Sequence, residues 1–349
     1  MGNLVRQLLG VGTTASVPAA DGEKCVHGLS AVATCQACVD ACPRDAWVLD
    51  DERLGLDVTA CDSCALCVPA CPQQAIELGR TGLLKSERRP VAFGACEVAI
   101  ANSSRALACL HALGVRDLER LYRDGVRELI VARGDCRACP RGKISRFDDA
   151  VCGFAAMQAS RNREPLAVRE LAPEQWHELS QDASPAADET CVSRRGLLTG
   201  LVHGISEAGR MHEAREATAI GGSSCDLDEA VFAFVPRIDG DTCEACNACI
   251  RVCPHGALRE IKEPEGELCY QMQPEECTGC NLCVDVCEAR AVSVTPWGRI
   301  GGPVVQLLEA RCRACGQVFQ YCQEGKAEGL LCSVCRQKDH HRNLYQVLD

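Results

Sequence analysis

The sequence predicts an α+β chain built from several small parts. Two cysteine-rich modules flank a small parallel α/β domain, and a four-cysteine tail follows. Three observations carry this reading. A phrase of closely spaced cysteines recurs four times, as two pairs, within residues 35–71 and 243–287. Between the pairs, short apolar runs alternate with stretches of helical periodicity. Beyond the second pair stand two isolated Cys-x2-Cys pairs. Only 4% of the residues are aromatic, little for a large packed core, so bound metal is expected to fill the small cores and to drive their folding.

The repeated phrase comes first. Cys61-x2-Cys64-x2-Cys67-x3-Cys71-Pro72 and Cys243-x2-Cys246-x2-Cys249-x3-Cys253-Pro254 are complete copies. Cys277-x2-Cys280-x2-Cys283-x3-Cys287 is complete but is followed by Glu288. Cys35-x2-Cys38-x3-Cys42-Pro43 lacks its first cysteine, and Val32 stands in that place. Each run continues alike, as Ala46-Trp47-Val48, Ala75-Ile76-Glu77, Ala257-Leu258-Arg259 and Ala291-Val292-Ser293. A small residue and then an apolar one mark a turn leading into a short strand. The chain is thus an internal repeat, with metal-ligand spacing rather than a disulfide framework.

These runs resemble the bacterial dicluster ferredoxins, in which three close thiolates hold one [4Fe–4S] cluster and the fourth reaches its neighbour. The resemblance covers roughly 70 residues per module by that motif. It implies that Cys243, Cys246, Cys249 and Cys287 hold one cluster, and Cys253, Cys277, Cys280 and Cys283 another. It likewise implies Cys42, Cys61, Cys64 and Cys67 for a third. Cys35, Cys38 and Cys71 remain for a fourth, one ligand short. Cys25, ten residues before Cys35, supplies that ligand if the intervening segment folds back. Otherwise Cys25 is a free thiol and the site holds [3Fe–4S].

The middle region changes texture. Pro90–Ala95, Arg105–Cys109, Arg127–Ala132 and Pro165–Leu171 read as strands. Val115–Asp124 reads as a helix, with Leu118 and Leu121 on one face, and a second helix carries Ile144, Phe147, Val151 and Phe154. Cys96, Cys109, Cys136 and Cys139 then fall at strand ends, where open parallel sheets build their sites. With the phrase Gly134-Asp135-Cys136, this layout resembles the small iron–sulfur subunit that links hydrogenases to heterodisulfide reductases. That resemblance implies a [2Fe–2S] cluster. A redox-active Cys136/Cys139 pair and inert buried thiols stay open. Cys152 reads as helix packing, and His111 as a structural polar residue.

In the tail, Cys312-x2-Cys315 and Cys332-x2-Cys335 form an all-thiolate set resembling a zinc ribbon. A rubredoxin-like iron site uses the same ligands. Cys322 is spare. Residues 184–189 read as a linker, and Leu197, Leu198, Leu201, Val202 and Ile205 as one face of a helix. Ser193-Arg194-Arg195 resembles a twin-arginine signal, but it lies far inside the chain and reads as linker.

The organisation expected is a flexible tail at 1–20, a first ferredoxin module at 21–82 and the α/β domain at 88–175. A linker at 176–225, a second ferredoxin module at 226–302 and a zinc-ribbon tail at 303–349 complete it. Four [4Fe–4S] clusters, one zinc and, on one reading, a [2Fe–2S] cluster are the cofactors. No stretch is long and apolar enough to span a membrane. The formal net charge of −11 disfavours phosphate backbones, hence nucleic acid, and suits a basic face on a redox protein. Phosphate-cradling and dinucleotide-binding glycine loops are absent. The chain therefore reads as a cytoplasmic electron-transfer subunit of an oxidoreductase, passing electrons between a donor and a catalytic partner, with no catalytic residue of its own. Two alternatives remain: a redox enzyme acting on a disulfide through Cys96, Cys109, Cys136 and Cys139, and a redox-sensing assembly or regulatory protein.

Overall fold

The computed structural model describes residues 17–50, 54–78, 82–101, 103–141, 146–186, 229–263, 266–301, 304–323 and 331–338. Residues 1–16, the expected helix and arginine pair within 193–205, and His340-His341 lie outside them. The chain divides into two compact units. The first takes Met1–Asp21, Ala37–Ala155 and Arg163–Ser224, the second Gly22–Gln36, Ala156–Asn162 and Cys225–Asp349.

In the first unit, strand β1 (Ala19–Ala20), at the end of the expected tail, takes part in the fold. β2 (Trp47–Leu49) and β3 (Leu54–Leu56) form a hairpin, and β4 (Ile76–Glu77) pairs antiparallel with β1. Two one-turn helices, α1 (Ala37–Asp40) and α2 (Cys67–Ala70), carry cysteines inward. Their small core is Cys38, Trp47, Cys67 and Ile76. Thiols make up half of it, so little apolar surface is available to hold this part together without metal.

A five-stranded sheet follows in the same unit. It comprises β5 (Leu83–Ser86), β6 (Val91–Ala95), β7 (Glu128–Ala132), β8 (Ala167–Glu170) and β9 (Ala183–Pro185), in the order β8-β7-β6-β5-β9. β6, β7 and β8 run parallel, as expected. β5 and β9 add an antiparallel edge, so the sheet is mixed rather than parallel. The expected linker at 184–189 thus begins inside an edge strand. The expected strand Arg105–Cys109 does not form. β6 already has β5 on one side and β7 on the other, and the segment makes only an isolated bridge, Cys96 to Leu107. Arg105 instead ties it down by donating to the Ala183 carbonyl at 2.9 Å.

β6 is buried along its whole length, which explains its run of Val, Ala and Phe without alternation. One face meets α3 (Val115–Arg123) and α4 (Arg146–Ala159) through Leu118, Leu121, Phe147 and Phe154. α3 starts where the Asp117 carboxylate accepts the Gly114 N–H at 2.8 Å, a capping contact. Cys152, expected to pack, is exposed; the buried positions of α4 include Phe147, Ala150 and Phe154. The other face meets α5 (Pro173–Ser180), whose Trp176 is fully buried. Its Nε1 donates to the Ile130 carbonyl at 3.2 Å, and its ring stands edge-on to Phe93 at 6.3 Å.

In the second unit, β10 (Val231–Ile238) pairs with β13 (Val292–Arg299) along their length. A four-stranded antiparallel sheet holds β11 (Leu258–Lys262), β12 (Leu268–Met272), β14 (Val305–Arg311) and β15 (Val318–Cys322) in that order. Hydrogen bonding from β12 to β14 carries the sheet across residue 303, so the tail strands and the second module share one core. That core includes Leu258, Tyr270, Val305, Leu307 and Cys322. Short helices α6 (Ala248–Val252) and α7 (Leu282–Asp285) bear Cys249 and Cys283. The last described helix, α8 (Ser333–Lys338), carries Arg336, which pairs with Glu244 beside Cys243.

Candidate metal centres

The three complete runs share one backbone shape. The second residue after the first cysteine and the first after the second are left-handed in each. They are Ser63 and Ala65, Ala245 and Asn247, and Gly279 and Asn281. Left-handed residues cost L-amino acids energy. Here they turn successive amide N–H groups toward one point, as an anion-binding nest does. Amides of Ser63 and Ala245 donate to Cys61 and Cys243 Sγ, each at 3.5 Å.

The fourth cysteine is handled alike in all four runs. Three residues on, Asp45, Gln74, Gly256 and Arg290 are left-handed. The next residue is the repeated alanine, whose N–H points back to the sulfur. Ala46, Ala75, Ala257 and Ala291 donate to Cys42, Cys71, Cys253 and Cys287 Sγ at 3.3, 3.2, 3.3 and 3.2 Å. All four alanines are buried. Amides aimed at sulfur stabilise thiolate over thiol, as cluster ligands require.

The thiols gather as the spacing implies. Cys42, Cys61, Cys64 and Cys67 line one cavity of ≈ 300 Å³ empty volume, together with Trp47 and Leu56. Burial pushes the Cys67 thiol up to about 11, and the neighbouring Cys42 and Cys61 add to it. In the second unit, burial and then Cys243, Cys246 and Cys287 push Cys249 up to about 12. Burial and then Cys280, Cys277, Cys253 and Cys249 do the same to Cys283. Thiols this crowded do not ionise together unless a cation neutralises them. Donor set, nest and amide–sulfur bonds therefore fit iron–sulfur clusters.

The incomplete run differs. Thr34 and Gln36, at the two nest positions, are not left-handed. Cys25 and Cys35 fall in the second unit, Cys38 and Cys71 in the first. Cys25 begins the short helix Val26–Leu29. His27 Nε2 donates to the Cys35 carbonyl at 2.8 Å, so the inserted segment folds back on Cys35. Thr34 N and Oγ1 donate to the Asp285 carboxylate at 3.0 and 2.7 Å.

In the mixed sheet, Cys96, Cys109, Cys136 and Cys139 line one cavity of ≈ 390 Å³ empty volume. Cys96 and Cys109 are buried; Cys136 and Cys139 are half-buried. Gly134 N donates to Cys96 Sγ at 3.3 Å. Burial and then Cys96, Cys139 and Cys136 push Cys109 up to about 11, although the His111 amide opposes them. The His111 ring also lines the cavity, but its Nδ1 accepts the Phe147 N–H at 3.2 Å. That leaves this nitrogen committed to the fold. The four thiols fit a small iron–sulfur cluster, with the Asp135 carboxylate also on the cavity wall.

In the tail, one ligand atom from each of Cys312, Cys315, Cys332 and Cys335 lies within 4.8 Å of the others. Cys315 and Cys332 Sγ are 3.9 Å apart, close to the ~3.8 Å edge that Zn–S bonds of about 2.3 Å give a tetrahedron. Left-handed Gly316 donates to the Cys312 carbonyl at 2.9 Å and closes the first knuckle. Cys332 N donates to Cys312 Sγ at 3.4 Å.

Sequence reasoning missed three neighbours of the Cys243 set. Cys322, read as spare, is fully buried and hydrogen-bonded to Cys243. Tyr270 donates to Asn247 Oδ1. Asn247 Nδ2 in turn donates to Glu260 at 2.8 Å. An asparagine after the second cysteine of a run was the readable signal, since Asn tolerates the left-handed region.

Comparison with known families agrees with this geometry. Residues 33–76 match the 4Fe-4S dicluster domain. Residues 236–259 and 270–293 each match the 4Fe-4S binding domain. The chain carries two ferredoxin-type iron–sulfur domains. No curated protein matches it. Among the described residues no helix is long and apolar enough to cross a membrane, and no cysteine is in a disulfide.

Proposed function

We propose that this chain is a multi-cluster electron-transfer subunit that relays electrons between a donor and a catalytic redox partner. The observation that carries the reading is the convergence of the middle cysteines on one cavity in a chain that also bears two ferredoxin-type domains. Four [4Fe–4S] clusters occupy the sets Cys42/Cys61/Cys64/Cys67, Cys243/Cys246/Cys249/Cys287, Cys253/Cys277/Cys280/Cys283 and Cys25/Cys35/Cys38/Cys71. In the last set Cys35, Cys38 and Cys71 fall within the dicluster match at residues 33–76, and Cys25 rests on spacing alone. A [2Fe–2S] cluster sits on Cys96, Cys109, Cys136 and Cys139, as in the hydrogenase–heterodisulfide reductase linking subunit that this region resembles. Zinc occupies Cys312, Cys315, Cys332 and Cys335 and makes the tail a ribbon. The setting is a reducing one, the cytoplasm, and the acidic surface meets a basic partner face.

When bound, the clusters supply one-electron storage. The chain's own residues supply the rest: thiolates hold the iron, amide donors tune each sulfur, and buried alanines and leucines keep water out. The test is anaerobic reduction of the isolated protein, followed by reoxidation with disulfide substrates. Uptake of electrons to a fixed stoichiometry, without turnover, is the expected result. One observation favours a second reading, in which the middle site is an enzyme: Cys136 and Cys139 are only half-buried. Sustained disulfide turnover, lost in Cys136→Ser, would establish that alternative.

A further inference from the structure

In the first unit, the run Cys61–Cys71 lies against the loop that ends the middle site. Cys64, Leu66 and Cys109 form one buried apolar cluster, at 7%, 1% and 7% exposure. Cys64 belongs to one thiol set and Cys109 to the other. The backbones also approach closely nearby. A Cβ added at Gly114 would stand 2.7 Å from Pro69 Cβ, and Arg116 donates to the Pro72 carbonyl at 3.0 Å.

One guanidinium spans the two sets. Arg141 Nε donates to Asp62 at 2.8 Å, and its Nη1 donates to the Ala108 carbonyl at 2.9 Å and to Glu97. Asp62 neighbours Cys61, Ala108 neighbours Cys109 and Glu97 neighbours Cys96. The Arg141 side chain is only 15% exposed and offsets the Asp62 and Glu97 carboxylates, so its loss would leave two anions beside the two sets.

We propose that the Cys64–Cys109 contact is an electron-transfer junction between the first ferredoxin-type centre and the middle centre, with Arg141 as the positioning residue that locks it and raises both potentials. This rests on the reading of Cys96, Cys109, Cys136 and Cys139 as cluster ligands. The step is a single electron. The centre at Cys42/Cys61/Cys64/Cys67, loaded by a low-potential one-electron donor, is oxidised by one, and the middle centre is reduced by one. No bond forms or breaks. Contact through packed side chains without intervening solvent favours the passage, and a nearby fixed cation favours the reduced form of each centre.

The test uses the full chain, loaded anaerobically with iron and sulfide, reduced stepwise with dithionite and followed by EPR. The middle signal should relax faster once the Cys42/Cys61/Cys64/Cys67 centre is also reduced, and Cys67→Ser should abolish that enhancement. Arg141→Gln should shift both midpoint potentials downward at unchanged iron content and leave those of the second module in place; Arg141→Lys should restore most of the shift. A merely structural arginine would change iron content, not this pair of potentials. A middle centre that loads yet relaxes independently overturns the junction and leaves the cluster reading standing. Middle thiols that take up no iron overturn both. Should Arg141→Gln fail to fold, the relaxation of the unaltered protein decides.

Discussion

Each thiolate set depends on backbone that a side chain could easily spoil. Gly279 sits between Cys277 and Cys280 at φ +76, and an added Cβ would meet the Phe234 ring at 2.5 Å. Gly279→Ala combines a left-handed cost of about 1–2 kcal/mol with overpacking of about 1–3 kcal/mol. The expected outcome is loss of one centre's iron and a lower midpoint of unfolding, read by metal analysis and calorimetry. A second residue-scale prediction concerns Cys25. If it completes the incomplete run, Cys25→Ala converts one [4Fe–4S] centre to [3Fe–4S] or removes it. Unchanged EPR and iron would make Cys25 a bystander. Much at this scale was legible, because ligand spacing is local geometry written directly into the chain. The left-handed turns were not, since Ser63, Ala65 and Ala245 are residue types that rarely adopt them. Gly279, Gly256, Asn247, Asn281 and Asp45 carried a hint.

Among the elements, the sheet and the tail behave differently from their sequence patterns. Helices α3 and α4 were readable from periodicity, and β6 and β7 from their apolar runs. The antiparallel edge was not. It joins residues 83–86 to residues 183–185, and no local pattern records a pairing over that distance. Arg105–Cys109 has strand composition, but both neighbours of β6 are already taken. Trp176 shows what holds this sheet. It is fully buried, and its indole N–H is satisfied by Ile130. Trp176→Ala should cost about 3–5 kcal/mol, measured by denaturant unfolding, and should leave the second unit's cluster signals in place. The tail gives the contrary lesson. A closed four-thiolate metal site can fold a short segment by itself. Yet β14 pairs with β12, Cys322 reaches Cys243, and Arg336 pairs with Glu244. Cys332→Ser should therefore release one zinc and also shift the potential or raise the oxygen sensitivity of the Cys243 centre. Zinc loss with every cluster signal unchanged would show that the two are uncoupled.

For the molecule as a whole, thiols stand among the few core residues of the ferredoxin-type domains. Thiols recur in the small cores beside Trp47, Tyr270 and Leu66, where burial pushes those of Cys64, Cys67, Cys109, Cys249 and Cys283 up. Loading and folding should therefore be coupled, with the cluster modules largely unfolded in metal-free protein. The proposed function makes the chain a series of redox centres rather than a single catalytic site. Metal stoichiometry tests this most directly. Anaerobically purified, fully loaded protein should hold about sixteen irons for its four [4Fe–4S] sets, by the crossed-ligand rule. About two more belong to the middle site, and one zinc to the tail. An iron content near eight, with the second module alone giving EPR signals, would contradict it.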